Sequence, residues 1–138
     1  MTTWTDIADA LKSIVSASFS SVGFATGETP ESLAQGKSMP AGIVPPCVLI
    51  LAGAGFRADS ALTRSRLFHL VLIDSLNSSG GDGRATELWT KFDTLLGLFP
   101  AGGRQSGEIA FLPVSSRMLE CADGRAAACL TVSAVFPS

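Results

Sequence analysis

The sequence predicts an α+β fold, a mixed and mainly antiparallel sheet of about four strands packed with two helices, in the order helix, strand, strand, helix, strand, strand. Three observations carry that expectation. Thr63 to Asp74 alternates in the manner of a strand, Arg84 to Phe99 repeats its apolar side chains in the manner of a helix, and Gly107 to Phe136 reads as two strands folding back at Asp123-Gly124. At 138 residues and 14.2 kDa the chain fits one domain, 1–138, able to bury roughly two thirds of its unfolded surface.

The first helix follows from its cap and its stripe. Thr3 has the side chain of an N-cap, Asp6 lies in the first turn, and Ile7, Leu11, Ile14, Val15, Ser18 and Val22 recur at three- and four-residue spacing until Gly23 ends the run. From Phe24 to Pro46 the composition shifts to Gly, Pro, Ser and Thr without periodicity, so residues 24–46 read as a long loop or an arm that reaches a neighbouring subunit. Pro46 to Ala52 is continuous rather than alternating, which predicts a strand covered on both faces, with the glycines at 53 and 55 opening a turn. In the next strand Arg64, Arg66, Phe68, Leu70 and Leu72 share one side, and Leu67, His69, Val71 and Ile73 the other. These two strands are expected to form a hairpin with a long projecting tip.

Asn77 to Gly83 is a polar loop in which Asp82 can cap the second helix. Leu88, Phe92, Leu95, Leu96 and Phe99 form that helix's stripe, Glu87 and Lys91 pair across one turn on its wet side, and Pro100 stops it. The closing hairpin is best satisfied by a three-residue loop, Ala122-Asp123-Gly124, which sets Leu112 against Ala134, Val114 against Val132 and Met118 against Ala128.

Composition narrows the possible functions. Charged residues make up 16% of the chain and mean hydropathy is +0.37, a balance that points to buried subunit interfaces. A net charge of −2, a pI near 5.2 and ten scattered basic residues argue against non-specific nucleic-acid binding. The N-terminal residues lack the features of a secretory signal, and Pro40, Pro45 and Pro46 interrupt the uncharged stretch Ser38 to Phe56 that would otherwise raise the question of a membrane span. Cys47, Cys121 and Cys129 read as buried thiols, since the expected hairpin leaves Cys121 and Cys129 about 13 Å apart along the strand.

Nothing in the residue pattern calls for catalysis, a cofactor or a metal. Gly36-Lys37-Ser38 lacks the glycine five positions earlier that a phosphate-binding loop requires, and Gly53-Ala54-Gly55 has Ala58 where a dinucleotide fingerprint needs its third glycine. His69, the single histidine, reads as a hydrogen-bonded core or interface residue, because no nucleophile context accompanies it. Phe56, Arg57, Arg64 and Arg66 are the candidate subunit or partner interface, weighed against a simple solvated strand end.

Taken together, the leading amphipathic helix, the proline-entered strand Pro45-Pro46-Cys47-Val48-Leu49-Ile50 and the strand beginning Thr63-Arg64-Ser65-Arg66-Leu67-Phe68 form a familiar succession. The helix at Arg84-Ala85-Thr86-Glu87-Leu88-Trp89 and the closing strand Leu130-Thr131-Val132-Ser133-Ala134-Val135-Phe136 complete it. The pattern covers most of the chain and resembles the tail terminator, or tail-completion, proteins of long-tailed bacteriophages. That resemblance implies a structural virion protein and no enzyme: a ring, commonly of six copies, assembled in the host cytoplasm and resident in the tail or neck. Its implied partners are the tail-tube protein, whose polymerisation it stops, and the head-tail connector or head-completion protein, with genomic DNA passing through the bore without sequence-specific binding. The alternatives are another head-tail joining ring, such as a head-closure or connector protein, and, from a different class, a small-molecule-binding regulatory domain.

Overall fold

Strands that are apolar on both faces must be covered on both faces, and the architecture follows from meeting that demand. The computed structural model of the chain describes residues 2–35, 40, 42–58, 62–75, 86–121 and 125–137. Its elements are α1 (Trp4–Ser16), β1 (Val22–Phe24), α2 (Pro30–Ala34), β2 (Cys47–Ala58), β3 (Thr63–Ser75), α3 (Thr86–Gly97), β4 (Arg104–Ser106), β5 (Ile109–Leu119) and β6 (Arg125–Pro137). The strands form one curled, mixed sheet in the order β1-β2-β3-β6-β5-β4, parallel only between β1 and β2. Among the described residues this corrects the expected four strands and two helices to six strands and three helices. The added elements β1, β4 and α2 are three to five residues long, too short to display a period.

Two cores result, one on each face of the sheet. On one face, Ile7, Leu11, Ile14 and Val15 of α1 and Leu88, Phe92 and Leu95 of α3 meet Val48, Ile50, Leu70, Leu72, Ala128 and Leu130. On the other, Leu33 and Ala34 of α2 cover Cys47, Leu49, Leu51, Val71, Ile73, Ala127 and Cys129. The predicted arm 24–46 therefore places a helix against its own sheet. Thr29 caps that helix reciprocally with Ser32, at 3.1 and 2.9 Å, with Pro30 at its first position. Gln35 Nε2 then donates to the Glu120 carbonyl at 2.9 Å, and Glu31 pairs with Arg117, tying α2 to β5.

Other boundaries move for local reasons. Thr3 does cap α1, accepting from Asp6 N at 3.1 Å while its own N–H donates to the Asp6 carboxylate at 2.9 Å. The helix stops at Ser16 rather than Gly23, and Val22 reaches the core from β1 instead. The expected turn at Gly53 is instead a bulge between Ala52 and Phe56, and β2 continues to Ala58. Glycine is needed there, since a Cβ on Gly53 would lie 2.8 Å from Leu67 Cβ and 3.0 Å from the Leu67 carbonyl oxygen. In the last hairpin Met118 lies opposite Ala128 as the expected register requires, but Leu112 faces Ser133 rather than Ala134, and Val114 occupies a bulge between Pro113 and Ser115. Pro113 has no N–H to give the ladder, and the extra residue turns Ile109 and Phe111 into the helix-side core. The loop Ala122-Asp123-Gly124, the Asn77 to Gly83 loop with its Asp82 cap, and Gly36-Lys37-Ser38 lie outside the described residues.

α3 is pinned by charge as well as by its stripe. Lys91, expected to pair with Glu87, places Nζ 2.6 Å from Oδ2 of Asp74, which is 2% exposed on β3. Lys91→Met should destabilise the fold by about 3 kcal/mol, because it takes the opposite charge away from a buried carboxylate, and adding Asp74→Leu should recover part of that loss. Urea denaturation of the single and double variants measures both. Phe92→Ala should cost about 3 to 5 kcal/mol by the same measurement, since it opens a cavity between α3 and the sheet.

Candidate functional site

The far end of the sheet is built differently from the doubly covered end. Alternation along β3 puts Arg64, Arg66 and Phe68 on the helix-bearing face, next to the first turn of α1. Trp4 lies over this end: its ring meets that of Phe68 edge-on at 5.6 Å, and the Arg66 guanidinium stacks 3.9 Å from its centroid. The Phe136 ring of β6 approaches the same guanidinium at 5.9 Å. Burial, aided by the charge of Arg64, pushes Arg66 below the ordinary arginine range. Arg64 itself is exposed, and Leu62 before it is 78% exposed.

The backbone register of β2 and β3 sets the four residues singled out from sequence along neighbouring stretches of the two strands. Phe56 sits opposite Arg66 and Ala58 opposite Arg64, whereas Arg57 sits opposite Ser65. Trp4 and Phe136, which flank the Arg66 guanidinium, stand outside the interface set expected from sequence. A signal for Trp4 was available, because it stands three residues before Ile7 and seven before Leu11 and so continues the stripe of α1 into its first turn.

Beside this patch, where β1 ends, an open groove of about 220 Å³ runs between α1 and the edge of β2. Trp4, Ala8, Phe24, Ile50, Ala52 and Phe68 line it, and Lys12 Nζ sits 5.5 Å from the Phe24 ring centroid at its border. A second hollow of about 220 Å³ lies between Phe19, Pro46 and Thr94. Each is smaller than the roughly 300 Å³ at which small-molecule pockets begin, so a groove of this size suits a protruding side chain.

On the reverse face His69 Nδ1 is 2.9 Å from Thr131 Oγ1. Burial lowers the His69 pKa, and the Arg117 charge adds to this against the opposing pull of Glu31. Burial raises the neighbouring Cys129 thiol. Glu31 is held low, first by a backbone hydrogen bond and then by Arg117. His69 thus serves as a half-buried, neutral hydrogen-bonding residue of the sheet.

No protein-family model matches the chain, and no curated protein matches it.

Two outcomes follow from this geometry. Arg64→Glu should weaken assembly, while Arg66→Glu should in addition lower stability by about 1 to 2 kcal/mol through loss of its aromatic stacking. An Arg64→Glu chain that assembles like the parent, judged by size-exclusion chromatography with light scattering, removes Arg64 from the interface. For His69, a folded pKa below the unfolded value makes the neutral form the stabilising one. Its contribution is complete above about pH 6.5 and is lost as pH falls toward the folded pKa. Denaturation midpoints should therefore begin to fall below about pH 6.5, ahead of any loss from Asp6 or Glu31, and His69→Gln should remove that early part.

Proposed function

We propose that the chain is a structural, ring-forming virion protein of the tail-terminator kind, which caps the tail tube and offers its opposite surface to the head connector. The observation that carries this reading is the anchored arginine and aromatic patch at the open end of the sheet. Arginine and tryptophan are the residues that most often dominate protein interfaces, and Arg66 is already fixed by Trp4 and Phe136, so little conformational freedom remains to be lost on contact. The exposed Arg64 and Leu62 extend the patch along β3 and beyond its start.

The small charged fraction and the likeness in the succession of helices and strands support the same reading. A terminator acts by complementary shape: its contacts close by rotation into a ring, and the face that binds the last tube ring leaves no site for another. This requires no bond to be made or broken. The proposed partners are further copies of the chain, the tail-tube protein and the head-tail connector or head-completion protein, with genomic DNA passing through the ring. The proposed location is the tail or neck of the virion, with assembly in the host cytoplasm.

Native mass spectrometry and negative-stain electron microscopy, with and without tail-tube protein, test this directly. The expected result is a closed oligomer, either alone or on the tube end, and tubes of limited length. A chain that stays monomeric and leaves tube growth unchanged removes the proposal.

A further inference from the structure

The two edges of the sheet are stepped, and each step is left open by a short strand. β1 covers β2 only from Val48 to Ile50, and β4 covers β5 only from Ile109 to Phe111. Among the described residues, Leu51 to Ala58 of β2 and Leu112 to Leu119 of β5 have no strand on their outer side. The groove lined by Trp4, Ala8, Phe24, Ile50, Ala52 and Phe68 opens at the first of these steps. The second step carries Val114 and Met118, which are 56% and 53% exposed.

We infer that these are the two halves of one contact between successive copies: Met118 and Val114 of one copy seat in the groove between α1 and β2 of the next. The inference rests on the ring reading above and identifies the surfaces that close the ring.

Several features fit together. Met118 lies opposite Ala128, whose side chain belongs to the helix-side core, so Met118 projects from the same face of the sheet as the groove. The groove's volume suits a side chain rather than a metabolite. β5 runs antiparallel to β2 across the intervening β3 and β6, so copies set side by side without inversion present antiparallel edges to each other. A knob at one end of the sheet and a hole at the other also make a head-to-tail contact, the kind that generates a cycle. The bulges between Ala52 and Phe56 and between Pro113 and Ser115 prevent a long regular ladder, so seated side chains rather than a continuous run of backbone hydrogen bonds carry the contact. A flexible methionine suits a shallow groove lined by the aromatic side chains of Trp4, Phe24 and Phe68.

Met118→Glu breaks the knob and Ala52→Arg blocks the hole, and both positions are exposed, so the variants should melt like the parent. Val114→Glu stands in if Met118→Glu fails to fold. Native mass spectrometry should show the unchanged chain as a ring and each variant alone as a monomer. An equimolar mixture should give a one-to-one heterodimer that grows no further, because a single intact knob and a single intact hole remain. A ring from either variant, or a mixture that stays monomeric, overturns this pairing and leaves the ring reading standing. An unchanged chain that forms no ring, even with tail-tube protein present, overturns both.

Discussion

Burial of the central strands on both faces is the constraint from which the rest of the molecule follows. Val48 to Leu51, Leu70 to Ile73 and Ala126 to Leu130 are apolar without interruption, so neither side of the sheet can meet water at that end. Two helices suffice for one side. The other has to be closed from within the same chain, and the segment between β1 and β2 does so by carrying α2 across it. The parallel pairing of β1 with β2 is the topological counterpart, because a chain that leaves one strand, crosses a face and returns beside its neighbour in the same direction pairs in parallel.

Away from that end the cover thins out, and polar and charged side chains enter the alternation. Arg64 and Arg66 take positions that Leu70 and Leu72 hold further along the same strand, and Trp4 replaces the aliphatic ridge of α1 as the packing element. The first turn of α1 thus has two roles. Its capping box starts the helix, and its tryptophan closes the core while fixing an arginine at the surface. Stability and recognition are coupled at this point, which distinguishes Arg66 from the more exposed Arg64.

Much of this was legible in the residues. The Thr3 cap, the stripe of α1 as far as Val15, the stripe of α3, the doubly buried run at Val48 and the alternation from Thr63 all appear where the sequence places them. α2 was equally marked, by Thr29, Pro30 and Ser32 as cap, first-turn proline and reciprocal partner, but it is a single turn and a half and gives no periodic signal. The two bulges were not legible, because an inserted residue is defined by its partner strand and pairing is a property of the fold. Lys91 chose Asp74 over Glu87 for a similar reason: a desolvated carboxylate on a distant strand outweighs a solvated one a turn away. The patch was legible as a set of residue types, but its geometry was not, since the Trp4 and Phe136 rings that flank Arg66 come from opposite ends of the chain.

The bulge at Val114 has an evolutionary corollary. Side-chain direction along a strand has period two, so the single supernumerary residue determines which half of β5 faces inward. Deleting it would swing Ile109 and Phe111 toward solvent and bring Ala110 and Leu112 inward. Surface turns can drift in length across generations of descent, whereas parity confines β5 to gains and losses that come in pairs.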